Sequence, residues 1–281
     1  MRAGRSTSAL RLCAHQELVI AVRSRWTQMF AVVFAALAIA VAASGYILSG
    51  GSGFQDFART AVSLVQLVLL IVPLMALVIG VLALAPERGA AELLFAQPIS
   101  RHAILFGKLL GLFEALAAAQ AIGFGASGLL IYSQAGQEGI GGFILLVGGS
   151  LALTAVFLGI AAVIAAGSIG RRARGLALAL IVWFAAVILY DVAALGAATL
   201  LRSGTASRVL ITAVLVNPVD AVRTGVLLGI EGAAAFGAAS LAFLRFTRGP
   251  VAAAMLLALS VGLWTCLPPI IAAFRLRGLD I

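Results

Sequence analysis

Apolar residues run in long blocks along this chain, and the charges that separate the blocks gather at their edges. A helix needs about 20 apolar residues to cross the hydrocarbon core of a membrane. Charge-free runs of that length lie at 26–55, 60–86, 115–137, 139–170 and 249–274, and a further block, 175–201, is interrupted only by Asp191. The pattern predicts an all-α integral membrane protein with six transmembrane helices, at about 28–49, 60–85, 109–132, 140–168, 176–200 and 250–274. Two further apolar pieces, 209–219 and 232–244, are too short to cross and contain or adjoin Asn217, Pro218, Asp220 and Glu231. They are expected to be re-entrant or external helices before the sixth span, since irregular backbone at membrane depth must be sheltered by protein. The alternative for 232–244 is a seventh span that uses its flanks.

Two polar stretches carry a helical pattern of their own. Within residues 1–27, Leu10, Cys13, Ala14, Leu18, Ala21 and Val22 recur at helical spacing among Arg2, Arg5, Arg11, Arg23 and Arg25. The apolar block that follows exceeds the roughly 7–15 residues of a secretory signal core. Residues 1–27 are therefore expected to be a cytoplasmic interfacial helix, and 28–281 a single transmembrane domain. The second stretch runs from Pro86 to Gly111. Leu93, Leu94, Phe95, Ile99, Ile104, Leu105 and Leu109 give it an apolar side, and Glu87, Arg88, Glu92, Arg101, His102 and Lys108 a polar one. Pro98 divides it into two short helices, because proline removes a helical donor and pushes its predecessor toward an extended conformation. A bent amphipathic element between two spans suits a surface on which another protein pushes.

Composition fits this reading: of 281 residues 63% are hydrophobic and 10% charged, with mean hydropathy +1.17. A net charge of +9 raises the question of nucleic acid. The basic residues flank apolar blocks instead, where positive charge orients a membrane protein, so no nucleic-acid partner is expected. Most of the 19 basic residues lie in 1–27, 86–108, 170–175 and 275–281, with Arg171, Arg172 and Arg174 the densest group. These segments are expected on the cytoplasmic side, which places both termini there. Arg245 and Arg248 oppose that assignment.

Candidate chemistry is sparse. Gly107-Lys108 lacks the Ser/Thr of a phosphate-binding loop, Leu109 standing in its place and His102 at the upstream glycine position, so no ATP site is encoded. His15 and His102 both fall in connecting segments, and Cys13 and Cys266 lie far apart, which gives neither a metal site nor a catalytic triad. Met29, Met75, Met255 and Cys266 read as packing residues rather than soft-metal ligands. Two carboxylates fall within spans. Asp191 and Glu114 are candidates for the lining of a translocation path, because intramembrane charge is costly and faces the bundle interior or a watery cavity. A helix-to-helix pair is the alternative for Asp191, and a group snorkelling to the interface for Glu114.

ELLFAQPISRHAILFGKLLG resembles the cytoplasmic segment between spans two and three of type-2 ABC exporter permeases, matching at Glu92, Leu93, Leu94, Pro98, Ser100, Arg101, Gly107, Lys108 and Gly111. HQELVIAVRSRW resembles that family's N-terminal interfacial helix, with Gln16 where a lysine is usual. Within the family, AIGFGASGLLI, the block containing Trp183 and Asp191, and VNPVDAVR with Asn217, Pro218, Asp220 and Arg223 are most similar to the NosY-type permeases of nitrous-oxide-reductase maturation transporters. The segment after VNPVDAVR is shorter than in those permeases. The resemblance implies a permease of a bacterial or archaeal cytoplasmic membrane, forming a homodimer with two copies of a separate ATPase. That partner would bind ATP, and this chain no cofactor. Glu87, Arg88, Glu92, Leu93, Leu94, Phe95, Pro98 and Arg101 would form the coupling helix, and Asn217, Pro218, Asp220 and Arg223 an external motif facing a periplasmic partner. The cargo would support assembly of a copper-sulfur cluster. A type-2 exporter for a lipid, drug or other small molecule is the alternative; a secondary transporter would show inverted repeats, and no convincing repeat is visible.

Overall fold

The computed structural model describes residues 2–47, 54–85, 100–135, 140–201, 203–231, 243–244, 246–247 and 249–277. Described regular structure is helical throughout: α1 (Arg2–Arg23), α2 (Arg25–Ile47), α3 (Phe54–Leu84), α4 (Arg101–Ala135), α5 (Ile140–Ala166), α6 (Arg172–Phe184), a π turn (Ala185–Leu189) continuing into α7 (Tyr190–Thr199), α8 (Ser203–Val216), α9 (Pro218–Glu231) and α10 (Pro250–Arg277). Six of these segments are long and apolar enough to cross a membrane, α6, the π turn and α7 together making one of them. The count becomes seven if α8 and α9, bent by 99° between Val216 and Pro218, form one broken span.

The six spans thus fall where the apolar blocks placed them, with one large shift in boundary. The third begins at Arg101 rather than 109, because Ser100 caps it: its Oγ accepts the backbone N–H of Ala103 at 3.3 Å. Most of the stretch expected to be bent and amphipathic, residues 86–99, lies outside the described residues. So does 232–242, most of the second short apolar piece.

Side chains of α2, α3, α4 and α5 make the main core, with α9 closing one end. Between apolar helices in lipid there is no net hydrophobic drive, so association rests on close packing and interhelical hydrogen bonds. Both occur here. Phe30 packs on Phe34 of the same helix α2, Phe34 meets Phe124 of α4 and Phe124 meets Phe143 of α5, with ring centroids 5.1–5.9 Å apart. Fully buried between α4 and α5, Gln120 donates to the Thr154 hydroxyl at 2.7 Å and accepts from Ser150 at 2.5 Å. Gln120→Leu is expected to cost about 1 kcal/mol, since Thr154 already bonds its own helix at the carbonyl of Ser150 and Ser150 can fall back likewise. Thermal unfolding in nanodiscs measures that cost.

Helix α1 lies across α4, and Gly107 and Gly111 make the contact possible. A Cβ on Gly107 would sit 2.6 Å from Cys13 Cβ and 2.9 Å from the Leu10 carbonyl oxygen. One on Gly111 would collide with the backbone of Ala14 and lie 2.8 Å from the Leu18 nitrogen. The small-xxx-small pair is thus a seat for this chain's own first helix.

Candidate functional site

The 99° bend between α8 and α9 creates a problem of unsatisfied backbone groups that the surrounding side chains solve. A helix leaves its last four carbonyls without intrahelical donors, and among packed apolar side chains water is scarce there to satisfy them. At the end of α8, Tyr190 Oη donates to Ala213 O at 3.1 Å, Ser260 Oγ to Leu215 O at 2.6 Å and Trp264 Nε1 to Val216 O at 2.9 Å. Residues of α7 and α10 therefore cap α8 from two sides.

Asn217 then starts α9. Its Oδ1 accepts the N–H of Val219 at 3.1 Å, Pro218 occupies the first helical position, and Asp220 stands in the first turn. That is a helix start for which each residue type is suited: an amide N-cap, a proline with no N–H to satisfy, and an anion near the positive end of the helix dipole. The other half of the Asn217 amide reaches outward. Nδ2 donates to Asp220 Oδ2 at 3.2 Å and to the carbonyl of Ala186 at 2.8 Å. Ala186 lies in the π turn of the fifth span, where the wider helical turn offers a backbone carbonyl to a neighbour.

Arg223, on α9, closes the cluster. Its Nη1 lies 2.7 Å from Asp191 Oδ2, just past the π turn, and 3.0 Å from Asp220 Oδ1. Two carboxylates share one guanidinium. Arg223 Nε is buried and has no hydrogen-bond partner among the described residues. Beside the cluster a cavity of about 310 Å³ is walled by Asp191, Asp220 and Arg223 together with Leu210, Val214 and Phe243. The arrangement ties the bent α8–α9 pair to the middle of the fifth span through a hydrogen bond to backbone and an ion pair.

A second polar group forms at the start of α6, roughly 28 Å along the same span from Asp191 at 1.5 Å per residue. Lys108 pairs with Glu17 of α1 at 2.9 Å and donates to Ala83 O at 3.2 Å. Arg172 donates to Leu82 O at 2.8 Å, so both cations cap the end of α3. Arg101 Nη1 donates to Leu276 O at 2.7 Å, near the end of α10. The ends of α3 and α10, the start of α4 and helix α1 are thus pinned together around Ala85 and Ser100, the described residues on either side of 86–99.

Residues 12–280 match the family model described as ABC-2 family transporter protein. The chain belongs to the ABC-2 transporter family. It is similar to the probable ABC transporter permease protein NosY of Pseudomonas aeruginosa, 35% identical over 258 residues, 89% of this chain and 91% of that protein. It is also similar to the protein of the same description from Stutzerimonas stutzeri, 33% identical over 261 residues, 90% of each. The resemblance read from the coupling-type motif is therefore established. A permease of this family is a multi-pass membrane subunit and implies a separate ATPase partner.

Two groups of residues that the sequence presented separately belong to one site. Asp191, singled out as an intramembrane charge, and Asn217, Asp220 and Arg223, singled out by resemblance, meet around Pro218. Glu114 stays apart: it lies on the exposed face of α4, in line with Leu110 and Ile122. Arg101 joins the opposite polar group, whereas Glu87, Arg88, Glu92, Leu93, Leu94, Phe95 and Pro98 lie outside the described residues. Sequence reasoning missed Tyr190, Ser260 and Trp264. Their only signal is a polar atom on an apolar span, and its meaning depends on a helix end far away in the sequence.

Proposed function

We propose that this chain is the NosY-type permease of an ABC transporter: a homodimer carrying two copies of a cytoplasmic ATPase and serving copper-sulfur site maturation of nitrous oxide reductase. The supporting observation is the match to two NosY permeases across about nine-tenths of both chains. In this reading residues 1–27 are a cytoplasmic interfacial helix, 28–281 one transmembrane domain, and both termini are cytoplasmic. Helices α8 and α9 form a re-entrant element on the external side, within reach of a periplasmic partner.

Residues 86–101 act as the coupling segment. Leu93, Leu94 and Phe95 pack it to its base; Glu87, Arg88, Glu92 and Arg101 contact the ATPase, and Pro98 sets the bend. The hydrogen bond from Arg101 to α10 and the capping of α3 by Lys108 and Arg172 support this role. A push on the segment reaches α1, α3, α4 and α10 together, as a rigid-body switch requires. At the far end, the Asp191–Arg223–Asp220 group holds the external element to the fifth span and lines the path with polar atoms. Glu114 is the second polar residue proposed for that path, reached from the exposed face of α4. Only 11% of the apolar window of the fifth span and 17% of the sixth is buried within one chain, against 50% of the third. Those two spans therefore have faces to give to lipid or to a second copy.

Co-purification tests the coupling role. Tagged protein is expected to bring down a soluble ATPase, and the combined change Leu93→Asp and Leu94→Asp to release it while the permease stays in the membrane. Retention of the ATPase by that variant would count against the segment. The cargo is tested by complementation: in a denitrifying host lacking its own NosY, this chain should restore the copper content of nitrous oxide reductase. A restored ATPase complex with an unmetallated reductase points instead to an exporter of another small molecule.

A further inference from the structure

Between α1, α2, α3, α4 and the start of α6 lies a second cavity with charged walls, of about 580 Å³, lined in part by Glu17, Ser24, Thr27, Lys108 and Arg172. We infer that it receives the phosphate of an anionic membrane phospholipid. Three independent observations carry the inference.

The first is a buried hydroxyl in search of a partner. Thr27 is 4% exposed, lines the cavity, and its Oγ1 bonds to nothing among the described residues. A buried hydroxyl is ordinarily satisfied, and a serine or threonine in a helix can bond a carbonyl of the preceding turn; this one does not. The second is donor capacity held in place. Lys108 and Arg172 are fixed by the carbonyls of Ala83 and Leu82. An ammonium has three donors and a guanidinium five, so after these bonds and the Glu17 pair each cation keeps a donor for a phosphate oxygen. Glu17 balances Lys108, no carboxylate among the described residues pairs with Arg172, and Arg25, Arg171 and Arg174 stand exposed beside wall residues Ser24, Trp26 and Arg172.

The third observation separates a lipid from a soluble anion. The rest of the wall is apolar, with Ile20, Trp26, Ile79 and Leu112 its largest side chains besides Leu82, and half of the Trp26 surface is exposed. An indole at the mouth of a polar pocket, on a chain that crosses the membrane, matches the interfacial level at which tryptophans gather. Basic pockets between spans at that level suit anionic headgroups. A free phosphate would use the cations and the hydroxyl but gain nothing from the apolar wall. A bound lipid would staple α1 and α2 to α3 and α4, at the end of α3. The site rests on the membrane location of the chain and not on the identity of its cargo.

The test uses the full-length chain, delipidated in detergent and titrated with phosphatidylglycerol, phosphatidylcholine or inorganic phosphate, with bound lipid read by native mass spectrometry and stability by thermal unfolding. Phosphatidylglycerol is expected to bind and raise the unfolding temperature, and phosphatidylcholine and inorganic phosphate to do so far less. Arg172→Gln should weaken phosphatidylglycerol binding by about tenfold and Thr27→Val by about fivefold, the losses of a charged and a neutral hydrogen bond. Arg208→Gln, on α8 and away from the cavity, should leave binding unchanged. Thr27→Val that stabilises the protein with phosphatidylglycerol binding intact would overturn the proposal, showing a hydroxyl that is merely unsatisfied. Equal binding of phosphatidylcholine would also overturn it, and inorganic phosphate competing at matched concentration would reassign the cavity to a soluble anion.

Discussion

Arg223→Met is expected to destabilise the permease by about 3 kcal/mol and to stop substrate-stimulated ATP turnover in the assembled complex. The guanidinium is the only cation within salt-bridge distance of Asp191 and Asp220 among the described residues. Removing it leaves two carboxylates facing one another beside a cavity with a mainly apolar wall. Breaking a buried pair from one side costs about 3–5 kcal/mol, and the lower end applies because about a quarter of the Arg223 side chain and a third of Asp191 remain exposed. Asp220→Asn should behave oppositely. It converts a cluster with one excess carboxylate into a matched pair of Asp191 and Arg223, so its stability should equal or exceed that of the parent. Asp191→Asn should leave the fold intact through Arg223–Asp220 and the Asn217 bond to Ala186, yet loosen the fifth span from α9 and impair turnover. Thermal unfolding and ATPase rates in nanodiscs separate these three outcomes. A normal turnover rate for Arg223→Met would show that the cluster takes no part in transport, and unchanged stability would show that it is not a latch.

Much of this architecture is legible in the residues because lipid allows so few backbone solutions. A run such as 139–170 can only be a helix when no water is present to satisfy its amides, and α5 (Ile140–Ala166) follows. The region around Asn217 was legible only in part: the apolar piece 209–219 is too short to cross, but the helix start that Asn217 and Pro218 make, and the bend it brings, emerge from the fold. What stayed hidden is pairing across distance. Asp191 precedes Arg223 by more than a full helix, and the π turn that offers the Ala186 carbonyl to Asn217 leaves no trace in AAVIL. Likewise Lys108 looked like part of a family motif, while its partners, Glu17 and the Ala83 carbonyl, are set by how α1 lies across the bundle. Periodicity encodes which face is buried; it does not encode against what.

That crossing of α1 over α4 supplies the other large expected effect, in Gly111→Val. Both seat glycines meet backbone atoms, which have no rotamer by which to yield. Overpacking usually costs about 1–3 kcal/mol, and collision with the Ala14 and Leu18 backbone keeps this site off the lower end. A local penalty of about 2 kcal/mol raises the population of undocked α1 by roughly 30-fold. Undocking can be followed through Cys13, whose Cβ abuts Gly107 in the docked helix. In a Cys266→Ala background, to remove the exposed second thiol, modification of Cys13 by a maleimide should accelerate by about that factor in Gly111→Val. Gly125→Ala provides the control: an added Cβ there has nothing within 4 Å, so the labelling rate should match the parent. Because Glu17 leaves with α1, Lys108 loses its carboxylate partner, and Glu17→Gln should raise the Cys13 rate too, by a smaller factor, without any steric clash. If Cys13 reacts equally fast in all four proteins, the glycines are not a seat for α1. If it accelerates while the ATPase stays bound and active, α1 is docked as found but transmits nothing between the segment proposed to couple to the ATPase and the spans.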